Sequence, residues 1–309
     1  MKKLFIVLLV SLGCASCAHI ETRRVSRGTH PVLEILREFQ PVEERNFIIP
    51  YSINLMALHN LETGKNIQPV REYMDWYLAH VNYPDKTGLT GTMYDLHIGP
   101  YAQEEFTDTY DSVDSYSATF LMVVHRYYRR TGDKQFLTDN REKLQDIAYT
   151  IAFLQDKDGL VIAAPAARVK FLMDNCEDYG GITAFIAMAH DMNWPLWKYY
   201  QDIQQNLRKS ILRHLYDSER NNFFWALDEA GVKSPSTLDT FYPDAYAQLF
   251  PVLYGLLDDN SELRDHLWQT FNQRYGATAD GLPIEQKLVY EFTRNMVNNE
   301  NHAGIRNPS

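Results

Sequence analysis

Apolar runs alternate along this chain with amphipathic stretches, and both follow the helical period of 3.6 rather than the strand period of 2. Ile49 to Glu62 reads as one helix, stopped by Thr63-Gly64. Pro69 opens the next, which runs to Asn82 before Tyr83-Pro84. Asp111 or Ser112 starts a helix reaching Arg130 and ending at Thr131-Gly132, and Asp133 to Gln155 follows it. Glu177 to Met192 with Pro195 to Tyr216, and Pro243 to Leu257 with Ser261 to Tyr275, form two more pairs. Pro283 to Asn298 is a further helix, and Pro31 to Phe39 a shorter one.

The first helix of each pair is the more apolar. Residues 118–124, 182–189 and 247–253 are apolar almost all round, as expected of helices buried on every side. Their partners, such as Lys134 to Gln155 and Lys198 to Leu215, carry charged faces. Inner helices ringed by outer ones account for the contrast. Asp85-Lys86-Thr87-Gly88-Leu89, Asp156 to Leu160, Asp217 to Phe224 and Ala279 to Leu282 each follow an outer helix. They read as turns into short β-hairpins, in long connectors at the end where the inner helices begin.

Three acids recur on this frame. Asp114, Glu177 and Asp244 stand at inner-helix starts, 63 and then 67 residues apart, each with a tyrosine two residues on: Tyr116, Tyr179 and Tyr246. Equivalent helix starts gather on one end of a stack of hairpins.

The N-terminus has its own pattern. Lys2-Lys3, an apolar run from Leu4 to Leu12 and Gly13-Cys14-Ala15-Ser16-Cys17 fit an export signal over residues 1–17. The small-residue ending before a cysteine resembles a bacterial lipoprotein signal, with Cys14 (or Cys17) as the lipidated residue. Residues 18–30 are polar and read as a tether, leaving 31–309 as a single domain. The expected location is therefore the cell envelope, with the membrane as a partner through that anchor. Beyond this segment Cys176 is the one cysteine, so no internal disulfide framework is available. A net charge of −10 argues against a nucleic-acid partner. Twenty tyrosines and five tryptophans suit sugar stacking as well as helix packing.

Residues 111–120, 171–181 and 241–245, on this helical frame, resemble the six-hairpin glycosidases, enzymes and relatives built as (α/α)6 toroids. The similarity spans roughly residues 45 to 280. It implies an all-α toroid of helical hairpins, with short β-hairpins in the connectors and a carbohydrate substrate. The chain supplies four full hairpins and one further helix where that family has six hairpins. The toroid is thus expected to be incomplete, or closed by the early helix at 31–39.

Glycoside hydrolysis uses two carboxyl groups flanking the bond, one to protonate the leaving oxygen and one to activate water or attack carbon. Asp111 and Asp114 lie one turn apart if both are helical, as do Asp174 and Glu177, so one member of each cluster is the expected catalytic pair. Asp114 and Glu177 are preferred because their positions correspond in the repeat. Free N–H groups at a helix start lower a carboxylate's pKa and suit a base, whereas an acid needs burial or a like charge beside it. Asp174 could instead grip sugar hydroxyls with Asn175. Trp225, Tyr51, Tyr116, Tyr179 and Tyr242 are candidate sugar contacts. Asp244 follows Pro243 and is as readily a helix cap as a sugar contact.

No H-E-x-x-H, Gly-x-Ser-x-Gly or phosphate-loop pattern occurs, so no cofactor or metal is expected. The leading expectation is an exported glycoside hydrolase, inverting rather than retaining. A polysaccharide lyase or sugar epimerase on the same toroid, and a non-catalytic carbohydrate-binding protein, stand as alternatives.

Overall fold

The computed structural model describes residues 30–99 and 101–300, the side chains of 299 and 300 excepted. The expected leader, the candidate lipidation residues Cys14 and Cys17, and all of the expected tether but His30 lie outside the described residues. No described helix is long and apolar enough to cross a membrane.

The fold is an (α/α) toroid. In chain order its helices are α1 (Pro31–Leu36), α2 (Pro50–Thr63), α3 (Ile67–His80), α4 (Val113–Thr131), α5 (Lys134–Asp139), α6 (Arg141–Leu154), α7 (Leu172–Asp191), α8 (Trp197–His214), α9 (Phe250–Leu253), α10 (Ser261–Tyr275) and α11 (Ile284–Glu300). A π-helical turn at Phe241–Ala245 precedes α9. The stretch expected as one helix from Asp133 is broken at Asn140 into α5 and α6, and the one expected from Pro243 is broken before α9.

The apolar runs of the inner helices α2, α4 and α7 are largely buried, as their sequences required. In α2, residues 53–58 are consecutively buried. The one polar member, Asn54, is fully satisfied: it donates to Thr119 Oγ1 (2.9 Å) and the Tyr116 carbonyl (3.2 Å) and accepts from the Tyr73 hydroxyl (2.7 Å). Helix α8, by contrast, buries one stripe: Tyr200, Leu207, Ser210 and Ile211. Helix α4 packs tightly on α7, where a Cβ at Gly181 would meet the Ala118 backbone. The glycine pair at 180–181 therefore serves close helix approach rather than ending the helix. Phe120 of α4 stacks on Tyr77 of α3, ring centroids 3.8 Å apart.

Closure comes from the far end of the chain. Helix α2 packs on α4, α4 on α7, α7 on α9, α9 on α11, and α11 returns to α2. Among the described residues the inner ring thus has five members, and α11, expected as an extra helix, shuts it. Helix α1 packs outside, on α3 and α2.

Short strands decorate the end where the inner helices begin. Strands β1 (Asn46–Ile48), β2 (Leu96–Ile98) and β3 (Glu104–Phe106) form one antiparallel sheet. Strand β4 (Lys170–Phe171) pairs with β7 (Ala226–Leu227), which pairs with β8 (Lys233–Ser234); β5 (Tyr216–Asp217) pairs with β6 (Asn222–Phe223). The β1–β2 and β4–β7 pairings tie different connectors together, so the loops over that end form a coupled rim.

Candidate active site

A cavity of about 620 Å³ opens at that end of the ring. Every inner element contributes its first turns to it: Tyr51 and Ser52 from α2, Asp111, Ser112, Ser115 and Tyr116 around the start of α4, Met173, Asp174 and Glu177 from α7, Tyr242 and Tyr246 around the π turn, and Glu285 from α11. Trp225, held by backbone bonds to Ser234 and Leu172, closes the wall from the β7 connector.

Glu177 is the best-defined group in the cavity. Its carboxyl is almost fully buried and accepts a 2.7 Å hydrogen bond from the Tyr51 hydroxyl, with Tyr254 a second donor. Burial, then the charge of Asp174, pushes its pKa up to about 8 against the lowering effect of those hydroxyls. Asp174 accepts from Ser112 Oγ at 3.1 Å and is pushed up to about 7 by burial and by the nearby Asp111 charge. Asp111 itself lies exposed at the cavity wall. Behind it, Asp95 takes a 2.9 Å hydrogen bond from the Tyr116 hydroxyl and is raised to about 6 by burial.

The expectation that helix starts would hold these acids ionised does not survive for Glu177. Helix α7 begins at Leu172, five residues before it, because Asn175 clamps the start. Asn175 Oδ1 accepts from the Val161 N–H (2.8 Å), and its amide donates to the carbonyls of Val161 and Phe171. Glu177 therefore sits in the second turn, where the dipole has faded and burial decides.

Asp114 is not brought to the cavity with Glu177. It is the second residue of α4, fully buried, and its Oδ1 accepts from the Ser115 N–H at 2.8 Å. Its other oxygen and both oxygens of Asp178 find no separate donor. Burial pushes both carboxyls far up, the neighbouring Asp178 adding to the effect on Asp114. A pair so placed holds protons and satisfies itself by sharing them. The repeat aligned Asp114 with Glu177, but Asp114 is the second residue of α4 and Glu177 the sixth of α7, so the two carboxyls lie about a turn apart along their helices.

The other candidates divide similarly. Tyr51, Tyr116, Trp225 and Tyr242 line the cavity, and Tyr242 is 54% exposed. Asn175 is spent on the clamp. Tyr179 lies away from the cavity, under the influence of Arg208. Asp244 latches the connector before it, taking hydrogen bonds from Ser236, from the Thr237 N–H (3.2 Å) and from the Thr237 hydroxyl (3.2 Å). Its role is closer to the cap weighed from sequence than to a sugar contact. Cys176 is buried with its thiol pushed up, consistent with an inert core residue. Tyr246, Tyr254, Asp95, Ser112 and Glu285 were not foreseen as site residues. Tyr246 carried a usable signal, the repeated tyrosine two residues after the acid; the rest reach the site through tertiary packing alone.

No family model and no curated protein sequence matches the chain. Solved structures do resemble it in fold. A rhamnosidase from Klebsiella oxytoca with rhamnose bound superposes with a TM-score of 0.55 at 14% identity, over 74% of this chain and 42% of that one. A GH78-family rhamnosidase of Bacillus sp. GL1 gives 0.57 at 13%, over 82% and 26%. A cellobiose 2-epimerase from Bacillus thermoamylovorans gives 0.51 at 10%, over 76% and 62%. The chain thus spans less than half the length of either rhamnosidase, and at these identities the likeness is one of fold.

Proposed function

We propose that the protein is a glycoside hydrolase acting on a neutral oligo- or polysaccharide, with Glu177 as general acid and Asp111 as the base that activates water. The observation that carries the reading is a buried Glu177 holding its proton to about pH 8 inside a cavity walled by tyrosines and Trp225. Burial keeps Glu177 protonated, and Asp174, on the same face of α7 one turn before it, adds to the effect as a neighbouring carboxyl. A group on the same helix does not flank a sugar from its opposite side, whereas Asp111 approaches from the start of α4. Inversion is the stereochemistry this arrangement favours, with a water between sugar and base.

The lining also bears on the substrate. It includes Asp111, Asp174, Glu177 and Glu285 but no Lys, Arg or His among the described residues. A polyanionic uronate chain would meet uncompensated repulsion there, which weighs against a lyase. Export and attachment by a lipid at Cys14 (or Cys17) complete the proposal. Mass spectrometry of the N-terminal peptide from the natural host tests them, and an unmodified Met1 would reject both.

The decisive experiment pairs wild type with Glu177→Gln and Asp111→Asn on neutral glycans and on aryl glycosides with a good leaving group. Glu177→Gln should lose glycan cleavage and retain aryl glycoside cleavage, since a good leaving group needs no proton; Asp111→Asn should lose both. Glycan binding without turnover in the wild type would instead identify a carbohydrate-binding protein.

A further inference from the structure

A second cavity, of about 550 Å³, opens at the opposite end of the ring, among the C-terminal ends of the inner helices. Arg126, Arg129 and Arg130 from the end of α4 line it, with Glu62 from α2 and Asn295 and Phe292 from α11. Two of the guanidiniums are built into place. Arg130 Nη1 donates to the Leu61 carbonyl at 3.0 Å, and its guanidinium lies over Gly64 so closely that a Cβ there would collide with it. Arg126 reaches Glu62 Oε1 at 3.3 Å. Arg129 is exposed and makes no hydrogen bond or ion pair among the described residues.

Cations at helix C-termini ordinarily answer the partial negative charge there, ~0.5 of an elementary charge per helix. The helix ends around the cavity and Glu62 answer much of the charge of the three guanidiniums, yet Arg129 has no ion partner among the described residues. His125 reports the same field: burial, then Arg126 and Arg129, holds its pKa down to about 4 and the ring neutral. Three guanidiniums around a cavity with an apolar wall, two of them anchored and one unpaired among the described residues, form a concave surface complementary to an anion in a chain of net charge −10.

We propose that this cavity binds an oxyanion of the phosphate class. Arg129 and Arg126 would hold the oxygens in forked hydrogen bonds, and the apolar or ring body of an ester would lie against Phe292. The same chemistry could be presented by a free phosphate ester or by a lipid headgroup.

The test is calorimetric titration of the full chain with inorganic phosphate and with phenyl phosphate, against chloride at matched ionic strength. Co-sedimentation with phosphatidylglycerol vesicles runs beside it. The expected result is binding at ~1 mM or tighter, the weak end of specific recognition, weakened at least tenfold in Arg129→Gln and unchanged in Arg213→Gln on the outer helix α8. Titration by the free esters identifies a soluble ligand; sedimentation alone, lost in Arg129→Gln, assigns the headgroup. Absence of binding in all three arms overturns the proposal, as does binding that Arg129→Gln leaves intact. Because Arg129 has no partner to lose, its variant should melt like the wild type, so a lost signal reads on the site.

Discussion

The two mouths of the ring are made by the same helices and carry opposite chemistry. At one, the first turns converge carboxyls and tyrosines; at the other, the last turns of α4 converge guanidiniums. Helix dipoles would favour this polarity at both ends, each with a contribution of ~0.3–1 kcal/mol. Yet only the basic mouth behaves as dipoles dictate. At the acidic mouth Glu177 moves from 4.5 to about 8, on the order of 5 kcal/mol against its charged form at ~1.4 kcal/mol for each unit of pKa. Burial outweighs the dipole several-fold, and it makes an acid where a helix start alone would make a base.

The strongest way to break the comparison is to remove that acid. Glu177→Gln should cut kcat on a glycan by ~10²–10⁴-fold, the usual worth of general acid catalysis, whereas Arg126→Gln at the other mouth should leave kcat within error. In the wild type, kcat should fall as pH rises through about 8, where Glu177 loses its proton. A flat profile from pH 6 to 9 would remove Glu177 from the role of acid.

Stability should show the same asymmetry with pH. Glu177, Asp174 and Asp95 are raised in the fold to about 8, 7 and 6, and Asp114 and Asp178 far up. A folded pKa above the unfolded value gives stability that is complete below the unfolded pKa, near 4, and lost as pH rises through the folded value. The Tm should therefore decline between pH 5 and pH 8, as on the order of 5–10 kcal/mol of stability is lost. The Asp114→Asn, Asp178→Asn double variant should flatten that decline. A decline as steep as that of the wild type would show that the pair carries no protons.

How much of this was legible depends on the range of the interaction. Apolar runs, Gly64 and Gly132 at helix ends, and the Asp-Gly connectors are local, and the helices and inner-outer arrangement followed from them. The mouth at which Glu177, Asp174 and Asp111 gather was legible for the same reason. Closure by α11 was not, because it rests on packing between α11 and α2, more than two hundred residues apart in the chain. The pairing of Asp114 with Glu177 misled because the repeat fixes where helices start only to within a turn: Asp114 is the second residue of α4 and Glu177 the sixth of α7, so the two carboxyls sit about one turn apart along their helices. Asn175 set that offset, and its three backbone bonds are visible only in the fold.

A smaller effect sharpens the account of the acidic mouth. Tyr51→Phe removes the 2.7 Å hydrogen bond that favours the Glu177 carboxylate. With that donor gone, the proton is held more tightly, so the alkaline limb of the rate profile should move to higher pH by ~0.5–1 unit. A move to lower pH would mean that the tyrosine serves the protonated form instead.

The smallest expected effect is the cleanest at the basic mouth, because the ring supplies its own control. Gly64 ends α2 at φ 74 and Gly132 ends α4 at φ 71, so alanine at either pays the left-handed penalty of ~1 kcal/mol. Around Gly132 a Cβ would meet nothing within 4 Å, whereas at Gly64 it would displace the Arg130 guanidinium from its bond to Leu61. Gly64→Ala should therefore cost ~1 kcal/mol more than Gly132→Ala in urea denaturation at equal m-value. Neither should alter kcat at the other mouth. Equal losses at the two glycines would show that Arg130 is a mobile surface cation, and the basic mouth would then be a patch of charge rather than a built cavity.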